Sequence, residues 1–378
     1  MPYIAGAFSW VVIGLLSVFT LRRFVMIVAA ALPARVREPG PGPRVAVIAS
    51  VLNEEENLPG LLEALDKLEY PREKISFTLV DDGSRDGTTR ILESWVSGRS
   101  NARCLVLAQN AGKAEGLGHA LSATPESELV AVYDADLRPL PNSLRILASA
   151  FGDEKIGAAA GFRRPSNTAA TPVAAYGALE SLVHQLITQT GKDRLGLDPT
   201  TMGGNCVYRR SALQQIGGFP AGAFSEDIEV SLALVAAGWS TRFYSDAVAE
   251  SKVVESLRRY WNQRCRWTRG LYRSRRRASR LESWLVSAGY ADRLVFAAAL
   301  VLAVSGHLSV LWPALYCVAP VTAAASALCR AGLGPALTAR VLLSIPPMFA
   351  VDVAVTVAAT VNAVLGRRQQ WHTGGTSK

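Results

Sequence analysis

Four stretches of this chain carry side chains whose types and spacing could do chemistry. The first is Asp134-Ala135-Asp136, two carboxylates one residue apart at the end of the apolar run Leu129–Tyr133. Like charges that close repel each other, so the arrangement calls for a cation or for a solvated loop. A hard divalent ion can sit on one or two carboxylates and take its remaining oxygens from phosphates. The second is Asp81-Asp82-Gly83-Ser84, again at the end of an apolar run. One of its carboxylates could accept hydrogen bonds from a nucleobase or ribose, although an ordinary Asp-Gly turn is the plainer account.

The third stretch, Ser225-Glu226-Asp227, precedes the helical pattern Ile228–Ala237. All three residues suit a first helical turn as caps and dipole partners. The same placement would let Asp227, with Glu226 beside it, take a proton from an attacking hydroxyl as a general base. The fourth is Gln263-Arg264-Cys265-Arg266-Trp267, inside a segment with ten arginines and no acidic residue between Arg258 and Arg280. Such charge suits an interfacial helix on anionic lipid. Lipid attraction does not call for Gln and Trp at fixed spacing, whereas a guanidinium can fork onto a diphosphate and an indole can lie against a sugar ring.

The elements that must position these residues follow from hydrophobic periodicity. Val45–Val51, Phe77–Val80, Cys104–Leu107 and Leu129–Tyr133 read as strands. Between them Leu58, Leu61, Leu62, Leu65 and Leu68, and then Ile91, Leu92 and Trp95, recur at helical spacing. Strands alternating with helices predict an α/β domain with a mostly parallel sheet, and ligands bind such sheets beyond the carboxyl ends of the strands. Asn53-Glu54, Asp81-Asp82 and Asp134-Asp136 all fall there. No GxGxxG follows the first strand and no GxxxxGK[ST] occurs, which argues against hydride transfer and against a P-loop nucleotidase.

The 378 residues are 49% hydrophobic, with a net charge of +9 and a mean hydropathy of +0.19. The apolar segments favour anionic lipid over nucleic acid as the polyanionic partner. Tyr3–Leu21 is long enough to cross a bilayer and is followed by Arg22-Arg23, so residues 1–30 read as a retained anchor with the following domain on the cytoplasmic side of a plasma or inner membrane. Residues 31–43 form a Pro/Gly linker, 44–257 the catalytic domain and 258–290 basic interfacial helices. Residues 291–366 form a C-terminal membrane region, and 367–378 a cytoplasmic tail. In that region Leu294–Leu311 and Ala314–Leu328 are expected to make a hairpin, with the Pro346-Pro347 segment re-entrant or interfacial; one long external loop over residues 312–340 is the competing layout. The five cysteines lack metal-ligand spacing and are expected to be reduced thiols.

Taken in order, LNEEEN (52–57), DDGSRDGT (81–88), NAGKAEGLGHAL (110–121), DAD (134–136), GGNCVYRR (203–210), SEDIE (225–229) and QRCRW (263–267) resemble the membrane-bound family-2 glycosyltransferases. The resemblance implies a GT-A fold, a UDP-sugar donor, Mg2+ or Mn2+, and inversion at the anomeric carbon. It places Asn53, Glu54 and Asp82 around the uridine and Asp134 and Asp136 at the diphosphate and metal, Asp136 most directly. Lys113 and Arg266 fall on the donor side, with Arg266 at the phosphates. Asp227 matches the family's catalytic base, Gly204 and Asn205 would line the acceptor terminus, and Gln263 and Trp267 stand on the acceptor side. The QxxRW pattern is similar to that of polysaccharide synthases, which makes a growing polysaccharide the first expected acceptor and a membrane lipid the second; a non-catalytic scaffold that kept the fold is the remaining alternative. The chain departs from the family at Ser50-Val51-Leu52-Asn53, where P-x-Y-N is common, so an aromatic partner for the base is missing there.

Overall fold

The structure, a computed structural model, describes residues 2–34, 42–222, 226–274 and 280–364. The chain divides into two compact units. One comprises Ala34–Ser166 and Leu197–Lys252. The other comprises Met1–Pro33, Asn167–Gly196 and Val253–Arg368. The expected catalytic segment 44–257 is therefore interrupted, because residues 167–196 fold with the terminal helices.

The first unit is built on eight strands: β1 (Val45–Val51), β2 (Ile75–Asp81), β3 (Ala102–Val106), β4 (Leu129–Val132), β5 (Arg138–Pro139), β6 (Ile156–Pro165), β7 (Cys206–Arg209) and β8 (Ser240–Ser251). They form one sheet in the order β3-β2-β1-β4-β7-β6-β8-β5. β1 pairs in parallel with β2 and β4, β2 with β3, and β6 with β8; β7 is antiparallel to both β4 and β6. The sheet is thus mixed and mostly parallel, as expected of an α/β fold. β1 and β4 are buried along nearly their whole length, as continuous apolar strands covered on both faces must be. One large cluster joins Val45, Val47 and Leu79 of the sheet to Leu58, Leu61 and Leu65 of the 58–66 helix, and reaches Tyr133 and Leu144. Leu58, Leu61, Leu62 and Leu65 are all buried in that helix, as the periodicity predicts.

The second unit is helical. Helices span Pro2–Ala31, Pro172–Val183, Thr190–Leu195, Leu257–Ser274, Arg280–Val304, Leu311–Ala331 and Pro335–Val364, with a π-helical turn at His184–Gln189. Among the described residues, Gly6–Ala31, Leu311–Ala331 and Pro335–Asn362 are long and apolar enough to cross a membrane. The C-terminal boundaries differ from the expected ones: the helix before the Gly306 turn is Arg280–Val304, and the one after it is Leu311–Ala331. The Leu294–Leu311 candidate is cut where its helix ends at Val304 and Gly306 turns with φ 75°, a conformation L side chains rarely adopt. The Pro-Pro segment is not re-entrant: Pro346 and Pro347 lie inside one continuous 30-residue helix. Arg367-Arg368, on which the expected return of the tail rests, lie outside the described residues, as does most of the Pro/Gly linker. The apolar FVMIVAAA stretch after Arg23 simply extends the first helix, to Ala31.

Candidate functional site

The site lies in the sheet-containing unit, beyond the carboxyl ends of β1, β2 and β4. Two loops there are stitched together. Asn53, held at φ 53°, donates its backbone N–H to Ser84 Oγ at 2.9 Å and accepts from the Arg85 N–H at 2.8 Å through Oδ1. The Glu54 N–H donates to Thr88 Oγ1 at 2.8 Å, and Glu55 Oε2 accepts from the Gly87 N–H at 2.9 Å. Asp81 and Asp82, both buried, divide the labour at the end of β2. Asp81 Oδ1 accepts from the Ser84 N–H at 2.9 Å and Oδ2 from the Thr89 hydroxyl, so Asp81 fixes its own turn. Asp82 accepts from Ala111 N–H at 2.7 Å and Gly112 N–H at 2.9 Å, one bond to each oxygen. Its carboxylate therefore braces the 110–112 loop, directly before Lys113, with one acceptor site on each oxygen left over.

Lys113 begins the Lys113–Ser122 helix and is the hub of the site. Its Nζ sits 2.7 Å from Asp134 Oδ1 and 2.6 Å from Glu226 Oε1, and donates to the Gly203 carbonyl at 3.1 Å. Burial works against its charge, but Asp134 and Glu226 outweigh that and hold the ammonium well above the usual lysine range. Asp134 also has Arg163 Nη1 at 3.9 Å, and Arg163 donates to the Met202 carbonyl at 2.7 Å. A Cβ on Gly204 would lie 2.7 Å from Asp134 Oδ2 and 2.6 Å from Leu137 Cδ1, so any larger residue there must displace the Asp134 carboxylate or the Leu137 side chain. Glycine also suits position 203, where φ is 77° and the Asp227 carboxylate approaches closely.

Glu226 and Asp227 open the Glu226–Ala236 helix, with Asp227 Oδ1 accepting from its neighbour Ile228 N–H at 2.8 Å. Ser225 lies outside the described residues. Burial first, and then the Glu226 charge, push the Asp227 carboxyl up to about 6, although Lys113 and the Ile228 N–H pull the other way. A carboxyl titrating there can be ionised near neutrality and still hold a proton taken from an alcohol.

Asp136 differs from Asp134 in forming no ion pair among the described residues. Burial raises its pKa, Arg163 opposes the shift, and Asp134 adds to it. Glu54, hydrogen-bonded by Asn57 Nδ2 at 2.8 Å, is also raised, chiefly by burial, with Asp136 and Asp134 adding. Among the described residues no group of three His, Cys, Asp or Glu side chains is arranged to hold a metal. Asp136, which forms no ion pair among the described residues, is the carboxylate that would hold a divalent ion, whereas Asp134 is already paired with Lys113.

Two residues with no motif signal position this loop. Arg138 donates to the Ala135, Leu137 and Asn57 carbonyls at 3.0, 2.8 and 2.7 Å, tying the Asp134–Asp136 loop to the first-strand loop. Gly60 makes room for it, since a Cβ there would meet Arg138 Nε at 2.2 Å. Asn205, expected to line an acceptor site, is wholly buried; its Nδ2 donates to the Ala247 and Phe162 carbonyls at 2.9 and 3.3 Å, and it serves the sheet.

Gln263, Arg266 and Trp267 belong to the helical unit, on the Leu257–Ser274 helix, where Arg266 is exposed and Gln263 and Trp267 are half-buried. The Trp267 ring lies 4.7 Å from the guanidinium carbon of Arg264.

Comparison with known proteins agrees with the fold. A probable glycosyltransferase, YdaM, from Bacillus subtilis is 30% identical over 233 residues, covering 60% of this chain and 55% of its own. A beta-monoglucosyldiacylglycerol synthase from Nostoc is 28% identical over 61% of this chain and 49% of its own, and an N-acetylglucosaminyltransferase from Rhizobium meliloti is 28% identical over 64% and 59%. The chain thus spans about half the length of the curated relatives it matches. The mannosyltransferase PcManGT from Pyrobaculum calidifontis, solved with GDP-Man and Mn2+, has the same fold, with a TM-score of 0.68 at 22% identity over 97% of this chain and 99% of that one. Residues 42–270 match the model described as glycosyltransferase like family 2, and the chain belongs to that family.

Proposed function

We propose that the chain is an inverting glycosyltransferase that moves a hexose or N-acetylhexosamine from a UDP-sugar to a hydroxyl acceptor at the cytoplasmic face of a membrane. The observation that carries this reading is geometric: Asp227 opens a helix beside Glu226, whose carboxylate Lys113 joins to Asp134, and burial pushes the Asp227 carboxyl up. Asp227 takes the proton of the acceptor hydroxyl. The freed oxygen attacks the anomeric carbon from the face opposite the nucleotide, and the bond to the diphosphate oxygen breaks with its electron pair leaving on the phosphate. Lys113 keeps Asp134 and Glu226 neutralised beside the reacting centre, and Arg163 does the same from the other side of Asp134. A divalent ion bound at Asp136 and Asp134 would offset charge on the departing diphosphate. Arg266 is assigned to the phosphates and Gln263 and Trp267 to the acceptor, as in the family pattern. Asn53, Glu54 and Asp82 form the nucleotide wall mainly through the backbone they hold in place.

For the acceptor, a growing polysaccharide is the first reading and agrees with relatives named N-acetylglucosaminyltransferase. A membrane lipid is the second, favoured by relatives named beta-monoglucosyldiacylglycerol synthase. The test is to supply the full chain, in lipid, with UDP-glucose, UDP-N-acetylglucosamine, UDP-galactose and GDP-mannose and to measure nucleoside diphosphate release. Release with a UDP-sugar supports the reading, and a product ladder or a single glycolipid then separates the two acceptors. No release with any donor overturns it in favour of a scaffold.

A further inference from the structure

The helix that carries Gln263, Arg266 and Trp267 is held within its own unit by a charged cage that no motif reading anticipates. Glu180, on the Pro172–Val183 helix, takes Arg264 on Oε2 and Arg293 Nη2 on Oε1 at 2.7 Å. Asp352, buried on the Pro335–Val364 helix, takes Arg293 Nε. Tyr260 Oη stands between the two carboxylates, 2.9 Å from Glu180 and 2.8 Å from Asp352, and its single proton serves one at a time. The two acids and two arginines balance in charge, and the cage joins four separate helices. Apolar packing also joins three of these helices, through Val173 and Tyr176, Tyr260 and Cys265, and Met348, Val355 and Ala359. A buried ion network adds little net stability over apolar residues of the same volume, but its bonds admit few geometries.

The cage ends on the acceptor motif. Tyr260, Arg264 and Trp267 follow one another at helical spacing and share a face. The Arg264 guanidinium lies 4.8 Å from the Tyr260 ring centroid and 4.7 Å from that of Trp267. Glu180 thus pairs with Arg264, and the Arg264 guanidinium lies against the indole. We propose that Glu180 and Arg264 are positioning residues that set the orientation of Trp267 for the acceptor. This rests on the glycosyl-transfer reading above, and it assigns a task to a part of the helical unit that reading leaves unused.

The experiment uses the full chain in lipid, with whichever donor the wild type turns over and either diacylglycerol vesicles or a chito-oligosaccharide as acceptor. Arg264→Lys keeps the charge beside Glu180 but removes the planar group against the two rings. It should raise the acceptor KM by about tenfold, since orientation terms of this size follow from small misplacements, and leave the donor KM within about twofold. Glu180→Gln should do the same, and its effect should vanish in a Trp267→Ala background, because the two act on one contact. Melting temperature is measured alongside; a purely structural role would lower it without splitting acceptor from donor. Wild-type turnover with an unchanged acceptor KM in Arg264→Lys, or full additivity of Glu180→Gln with Trp267→Ala, overturns the inference alone. No donor turnover by the wild type overturns the function on which it rests.

Discussion

Replacing Lys113 by Met should move the acid limb of the activity profile upward. A Cβ on Gly203 would lie 3.3 Å from Lys113 Nζ and 3.4 Å from Asp227 Oδ2, so the two charges are within reach of each other. At about 7 Å and an effective dielectric near 20, an ammonium stabilises a carboxylate by about 2 kcal/mol. The Lys113 side chain is 33% exposed, so solvent screening roughly halves this, to about one pH unit. In the wild type the limb of kcat/KM should fall near pH 6, where burial and Glu226 put Asp227. In Lys113→Met it should fall about one unit higher, because the lost cation was the group favouring the ionised base. The assay is nucleoside diphosphate release from the accepted donor between pH 5 and 9, fitted for the midpoint of the limb rather than its height, since loss of Lys113 also weakens donor binding. A limb that stays in place would refute the reasoning that Lys113 tunes Asp227.

Asp227→Asn should retain nucleotide binding yet transfer no sugar, a loss of at least about a hundredfold in kcat; near wild-type turnover removes Asp227 from the base role. The same variant should melt higher at pH 8. The folded-state pKa of Asp227 lies above its unfolded value, so its contribution to stability is fully present below about pH 4 and is lost as pH rises through about 6. The gain from the amide should therefore be larger at pH 8 than at pH 5, as read by thermal unfolding. Asp136→Asn should mimic chelator treatment, and full turnover in either condition would argue against an ion at Asp136. Gly60→Val should push Arg138 off its three carbonyls, destabilising by about 1–3 kcal/mol and cutting turnover even though residue 60 lies outside every motif.

Much of this protein was legible in its residues. Strands β1, β2 and β4 follow from apolar runs that end in acidic residues, since buried parallel strands must be apolar and their carboxyl ends face solvent. The paired acids, Lys113 and the first long membrane-length segment were likewise fixed by local pattern and spacing. Tertiary structure decided the rest, because it depends on which distant groups meet. Only the fold shows that Lys113 joins Asp134 to Glu226, more than ninety residues apart in sequence, or that Asp82 accepts from the 110–112 loop through both oxygens. Only the fold places residues 167–196 with the terminal helices, cuts one expected span at Gly306 and runs another straight through two prolines. The reason is common to all of these. Periodicity encodes which face a residue turns inward, whereas ion pairs and hydrogen bonds between remote segments are decided by packing, on which local spacing carries no information.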